Sequence, residues 1–170
     1  MKILVIGTID SGYPGREEAL CRDLARGLSK RGHEVDVFFL PFKRDTLNAE
    51  EQIFAYSLVD TARADALVTV GYPACFVPHR NGNKASYLFD CYPEIRKALS
   101  FELRELRSEE RQKTAENILS AERGTLAGIK HVFVATHALS REMLERYGVG
   151  ADVLRPDGER LSERVGGAMA

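Results

Sequence analysis

The sequence KILVIG, residues 2–7, is a continuous apolar run, and the glycine-bearing loop DSGYPG, residues 10–15, follows it closely. A run without polar alternation is typical of a strand buried on both faces of a parallel sheet. An amphipathic helix is predicted next, over residues 15–31. Because the loop glycines let backbone N–H groups approach a ligand at the start of this helix, the block predicts a phosphate or sugar site at the carboxyl edge of the first strand.

Strands and helices alternate along the rest of the chain, which predicts an α/β fold with right-handed crossovers. We expect a Rossmann-like three-layer αβα sandwich with a mainly parallel sheet, in which the first strand is central. This single domain covers residues 1–159, and residues 160–170 are expected to be a polar tail that frays or docks loosely as a helix. The further strands are predicted at residues 34–40, 66–70, 85–89, 131–135 and 152–154. Helices are predicted at 48–62 and 136–147, and a long helical region at 94–130 with a break near Ser108 or Gly124.

The composition excludes several classes of protein. With 170 residues, 44% of them hydrophobic, the chain can bury a core, so disorder is not expected. A net charge of −1 argues against a dedicated nucleic-acid binder. The sequence shows neither a signal peptide nor a bilayer-spanning run, and its three scattered cysteines have no metal-ligand spacing. We therefore expect a cytoplasmic protein with reduced thiols and no metal.

The long helical region, residues 94–130, carries arginines and lysines mixed with glutamates. Mixed signs favour a solvated helix face. Peripheral docking on an anionic membrane is the alternative interpretation of the same residues.

The first loop is the first candidate binding site. Its glycines lie at positions 7, 12 and 15, which is neither the dinucleotide fingerprint nor a P-loop. Gly12 and Gly15 fit an anion-binding loop or, equally, a long turn that needs glycine for its geometry. Arg16 can bind a phosphate or carboxylate in a bidentate manner, although a single arginine at a helix start is commonly just exposed.

Other polar residues are predicted in loops at the same edge of the sheet. His79 lies in the third loop, and Thr136 and His137 begin a helix after the fifth strand. Asp90 and Tyr92 follow the fourth strand, where an acid can act as a general base, bind a hydroxyl group or cap a helix. We take Asp90 as the candidate catalytic residue and the others as candidate substrate-binding residues.

Five segments resemble the N-terminal domain of family-four glycosyltransferases, which have the GT-B fold. These segments are GREE at residues 15–18, LARGLSKRGHEV at residues 24–35, DCYPE at residues 90–94, residues 122–136 with the helix that closes at Tyr147-Gly148, and LRPDGE at residues 154–159. The resemblance covers about residues 1–159. The chain departs from the family pattern at Arg16, where the family has a second glycine, and at Phe89, where it has a histidine.

The resemblance implies one half of a GT-B enzyme. It implies the acceptor-side half, which holds a glycan, lipid or small-molecule acceptor, while a separate donor-binding domain or chain binds the nucleotide sugar as substrate. No other cofactor is implied. An uncovered interdomain face would favour self-association into a homo-oligomer or binding to a donor-domain chain. A non-catalytic binding or interaction module with the same fold is the alternative function.

Overall fold

Six parallel strands form a single sheet in the computed structural model, which describes residues 1–10, 15–42, 49–89 and 108–169. The spatial order of the strands is β2-β1-β3-β4-β5-β6. This confirms the predicted α/β class and the Rossmann-like parallel architecture, with β1 in the interior of the sheet. The strands are β1 (Lys2–Asp10), β2 (Glu34–Phe42), β3 (Ala66–Val70), β4 (Lys84–Leu88), β5 (His131–Val134) and β6 (Asp152–Val153).

Five α-helices and one short 3-10 helix connect or follow these strands in the described part of the chain. The α-helices are α1 (Arg16–Lys30), α2 (Ala49–Ser57), α3 (Ser108–Ala127), α4 (His137–Tyr147) and α5 (Gly158–Met169), and the 3-10 helix is Pro73–Phe76. None of the described helices combines the length and the apolar character that a bilayer crossing requires. The predicted capping of α2 by Asn48 and the predicted helix over residues 94–107 lie outside the described residues.

Strand β1 is covered on both faces, as its unbroken apolar run predicts. Ile3 and Val5 belong to the hydrophobic cluster on one face, and Ile6 belongs to the cluster on the other. All three side chains are fully buried. Alternate residues of a strand point to opposite faces, so a strand without polar alternation needs a helical layer on each side.

The strand order assigns the helices to two layers. The step from β1 to β2 moves in one direction along the sheet, and every later step moves in the other direction. Right-handed crossovers in opposite directions lie on opposite faces. Accordingly, α1 packs in one cluster, and side chains from α2, the 3-10 helix, α3 and α4 pack in the other.

Helix α5 completes the layer that α1 begins. Its residues Leu161, Val165 and Met169 are buried in the same cluster as Leu24 of α1 and Tyr87 of β4. The segment that we expected to be a polar tail, residues 160–170, therefore contributes core side chains along the helix that ends at Met169. The physical reason is topological: α1 alone cannot cover this face, and α5 covers the remaining apolar surface.

Candidate functional site

The two interior strands β1 and β3 meet at the point where the chain reverses its direction along the sheet. The pairing begins at Ile3 with Ala66 and ends at Gly7 with Val70. Strand β3 ends there, and the next residues, Thr8 of β1 and Gly71, lie side by side. In doubly wound sheets, the crevice at such a reversal, beyond the carboxyl ends of the strands, is the usual ligand site. We name this region, formed by Thr8, Gly15, Arg16, Glu17 and Gly71, the carboxyl-edge site.

A carboxylate and a hydroxyl group are paired in the floor of this site. The hydroxyl group of Thr8 donates a hydrogen bond to Oε2 of Glu17, in the first turn of α1. Gly71 has φ of 92°, and a Cβ at this position would lie 3.0 Å from Oε1 of Glu17 and 3.2 Å from Oγ1 of Thr8. Glycine is therefore required here by both its backbone conformation and the space that the Thr8–Glu17 pair occupies.

The N-terminus of α1 lies beside this pair. Gly15 has φ of 144° and provides no side-chain cap. The exposed Arg16 follows it, and its guanidinium group lies 4.2 Å from the ring centroid of Phe89, which comes directly after β4. This cation–π contact turns Arg16 toward the end of β4. Arg16 thus links the ends of two strands that are not adjacent in the sheet.

Two acids in the first turn of α1 make the start of this helix less favourable for an anion than the loop glycines alone predict. Glu17 and Glu18 both lie within the field of the helix N-terminus. Glu18 forms an ion pair with Arg22 at 2.7 Å, whereas Glu17 faces Thr8 and Gly71. Negative charge already stabilised at a helix N-terminus opposes a second anion there. The arrangement is thus better suited to a hydroxylated ligand than to a phosphate.

The predicted residues Thr136 and His137 lie at the carboxyl edge, after β5. The side chain of Thr136 accepts a hydrogen bond from the backbone N–H of Leu139 at 3.2 Å, so Thr136 is the N-cap of α4. Both residues are exposed. The predicted site residues Gly12, Asp90 and Tyr92 lie outside the described residues.

His79 lies at the opposite edge of the sheet from the other described candidates. Its ring nitrogens are 3.4 Å from the hydroxyl oxygen of Thr61 and 3.4 Å from the carbonyl oxygen of Asp65, the residue that precedes β3. The third loop returns along the sheet through its 3-10 helix, which carries His79 to the amino edge. The structure therefore does not bring His79 together with Gly15, Arg16, Thr136 and His137.

A buried carboxyl group that the sequence analysis missed lies between the helices of the other layer. Glu122 of α3 is fully buried, and it accepts hydrogen bonds from the hydroxyl groups of Tyr72 and, at 3.1 Å, Tyr147. Burial raises the pKa of Glu122 to about 7, and the hydrogen bond from Tyr147 opposes part of this increase. Its position four residues from both Ile118 and Leu126, on an apolar stripe, was the signal available in the sequence.

The cysteines in the described residues are not reactive nucleophiles. Cys21 and Cys75 are free and buried, and burial raises the pKa of each thiol to about 12. Within the described ranges, no group of three or more His, Cys, Asp or Glu side chains is arranged to hold a metal ion.

Comparison with known proteins adds no family assignment. No protein-family model matches the sequence, and no curated protein is significantly similar to it. The carboxyl-edge site and the sequence motifs are the features of the chain that bear on its function.

Proposed function

We propose that this chain is the acceptor-side domain of a sugar-transferring enzyme and that it binds a neutral, polyhydroxylated acceptor at the carboxyl-edge site. The observation that carries the proposal is the Thr8–Glu17 pair beside Gly71, at the strand reversal. A carboxylate accepts hydrogen bonds from ligand hydroxyl groups, and a neighbouring threonine hydroxyl can both donate and accept.

The charge distribution supports an acceptor in preference to a nucleotide diphosphate. The acids Glu17 and Glu18 occupy the first turn of α1, and the guanidinium group of Arg16 lies over the ring of Phe89. A diphosphate at this helix N-terminus would lie close to the carboxylate of Glu17. The nucleotide sugar is accordingly assigned to a donor-binding domain or a separate chain, in line with the family resemblance.

The chemistry of such a domain is mainly positional. Holding the acceptor hydroxyl group in line with the donor sugar lowers the entropic part of the barrier, and fixed dipoles stabilise the leaving diphosphate. Asp90, directly after Phe89 in the sequence, is the candidate residue for binding or deprotonating the acceptor hydroxyl group.

A binding experiment with a matched pair of variants tests this proposal. Saturation-transfer NMR would measure the binding of neutral mono- and disaccharides. UDP and UDP-glucose, tested in the same way, would show whether the chain binds the donor instead. Glu17→Gln removes the charge that faces Thr8 and Gly71. Glu18→Gln, the control, removes a neighbouring charge that pairs with Arg22.

We expect saccharide binding to weaken about tenfold in Glu17→Gln, because a charged hydrogen-bond acceptor is lost, and to change little in Glu18→Gln. Preferential binding of UDP to the wild-type chain, or equal effects of the two substitutions, would contradict the assignment.

An activity assay separates the enzyme from a non-catalytic binding module. The 170-residue chain alone should transfer no sugar at a measurable rate, because the proposal places donor binding elsewhere. Turnover by the purified chain that is lost in Asp90→Ala would contradict this expectation. Transfer that appears only when a donor-binding chain is added, and only with intact Glu17, would support the enzyme against the binding module.

A further inference from the structure

The helical layer that contains α2 and α3 has an open groove over the 3-10 helix. Both helices contact Pro73–Phe76, and between them lies a cavity of about 420 Å³. This volume falls within the range of small-molecule sites. The groove lies on the sheet face opposite α1, and the described residues that line it are distinct from those of the carboxyl-edge site. They are Ile53, Phe54 and Ser57 of α2, Phe76, and Asn117, Ala121, Gly124 and Thr125 of α3.

The residues that line the groove favour an uncharged, apolar ligand. None of the described lining residues is charged, although 29% of the whole chain is. Two phenylalanines, an isoleucine, an alanine and a glycine supply the apolar contact, and Ser57, Asn117 and Thr125 supply uncharged hydrogen-bonding groups. Among the described residues, no lining side chain would neutralise a charge buried in the groove, which favours a neutral ligand.

Two positions show that the groove is accessible. A Cβ at Gly124 would meet no atom within 4 Å, so the floor of the groove at α3 is open. At the rim, Phe54 is 64% exposed, and covering its side chain with an apolar ligand would remove apolar surface from water. An exposed aromatic side chain beside an uncharged concave surface is typical of a ligand site.

We infer that the groove between α2 and α3 binds a neutral, predominantly aromatic small molecule, which stacks against Phe54 and Phe76 and hydrogen-bonds to the polar side chains of the lining. This site is independent of the proposed sugar-acceptor function. Two aromatic rings in the walls favour a flat aromatic ligand over a saccharide, because offset or edge-to-face ring contacts add to the energy of burial.

A matched pair of probes tests the preference for a neutral ligand. N-phenyl-1-naphthylamine is neutral, and 1-anilinonaphthalene-8-sulfonate has the same ring system with one added negative charge. Fluorescence titration of the full chain should show saturable, one-to-one binding of the neutral probe. We expect the anionic probe to bind at least about tenfold more weakly, since its charge would be buried without a partner.

A matched pair of variants tests the location. Gly124→Leu fills the groove, and Gly167→Leu adds the same side chain to α5, where a Cβ also meets no atom within 4 Å. The first substitution should weaken binding of the neutral probe at least about tenfold, and the second should leave it nearly unchanged. Circular dichroism would show that both variants fold.

Three results of the binding experiments would overturn the inference. They are the absence of saturable binding, equal binding by the two glycine variants, and tighter binding of the anionic probe. A dimer in sedimentation equilibrium that dissociates in Gly124→Leu would also overturn it and would assign the groove to a second copy of the chain. Shifts of the methyl NMR signals of Ile53 and Thr125 on addition of the neutral probe would support it.

Discussion

The two helical layers of this sheet are built in different ways. In the layer of α1 and α5, the helices approach so closely that a Cβ at Gly158 would overlap the Cβ of Asp23 and lie 2.9 Å from the Asp23 backbone carbon. In the layer of α2, α3 and α4, the helices leave a groove of about 420 Å³ and enclose the carboxyl group of Glu122.

The difference between the two layers shows which parts of this fold have room for a ligand. In the α1–α5 layer, the helices approach closely at Gly27 and Gly158, where small changes in volume are costly. Beside this contact, mostly charged side chains of α1 and of the start of α5 line a cavity of about 460 Å³. The opposite layer contains a buried acid and an open cavity, and both features cost stability. The carboxyl-edge site lies where the first helix of the packed layer meets the strand reversal.

Removing a core side chain from α5 should have the largest effect on stability. Leu161 is fully buried, so Leu161→Ala should lower the free energy of unfolding by about 3 kcal/mol through lost burial and a residual cavity. Urea denaturation measures this. The control is Leu144→Ala on α4, where the leucine is 60% exposed and the expected loss is below about 1 kcal/mol. Equal small losses would mean that residues 160–169 are a loosely docked tail after all.

The buried acid of the opposite layer should make stability depend on pH. Because the pKa of Glu122 is about 7 in the folded chain and the ordinary value is 4.5, the folded state binds more protons between these values. Stability from this group is therefore full below about pH 4.5 and is lost as the pH rises through 7, by on the order of 2–3 kcal/mol.

The matched variant for this measurement is Glu122→Gln, whose amide oxygen accepts from one tyrosine hydroxyl group and whose NH2 group can donate to the other. Urea denaturation at a series of pH values gives the difference in stability between wild type and variant, so that other titrating groups cancel. A difference that does not vary with pH would mean that the pKa of Glu122 is the same in the folded and the unfolded chain, which would contradict the effect of burial.

Adding one methyl group should distinguish the two layers directly. Gly158→Ala forces α5 away from the backbone of Asp23 and Leu24 and should cost about 2 kcal/mol. Gly124→Ala, in the open groove, should instead stabilise the chain by roughly 0.5–1 kcal/mol, because alanine is the better helix former. Thermal denaturation followed by circular dichroism would measure both, and effects of the same sign would remove the proposed contrast.

The smallest expected effect concerns the start of α4. Thr136→Ala removes the acceptor for the N–H of Leu139 and should cost about 1 kcal/mol, whereas Thr136→Ser keeps the cap. Saccharide binding should be unchanged in both variants if capping is the main role of Thr136. Weaker saccharide binding in Thr136→Ala without a loss of stability would mean that Thr136 contacts the ligand.

Most of the fold was predictable because its signals are local. The apolar run of β1, the stripe of Leu20, Leu24 and Leu28, and the stop at Gly148 each follow from periodicity or backbone preference. The role of α5 was not predictable in this way, because its core contacts depend on which face the crossovers leave uncovered. The strand order supplies that information, and the local pattern does not.

The candidate site was only partly predictable for the same reason. Gly15 and Arg16 were identified from a loop next to the first strand, but the partnership of Glu17 with Thr8 and Gly71 depends on the pairing of β1 with β3. His79 was assigned to the wrong edge because its loop turns back through a 3-10 helix. The burial of Glu122 could not be predicted from the sequence, because it depends on how α3 packs against α4 and against Tyr72, two residues after β3.

The central claim is that a neutral polyhydroxylated ligand binds at the reversal between β1 and β3. The most direct measurement is a titration of the ¹⁵N-labelled chain with a neutral disaccharide, followed in amide correlation spectra. We expect saturable shifts of the Thr8, Glu17 and Gly71 signals, with the signals of Thr61 and His79 at the amino edge unchanged. Shifts confined to the amino edge, or the same Thr8 and Gly71 shifts produced more strongly by inorganic phosphate, would contradict the account.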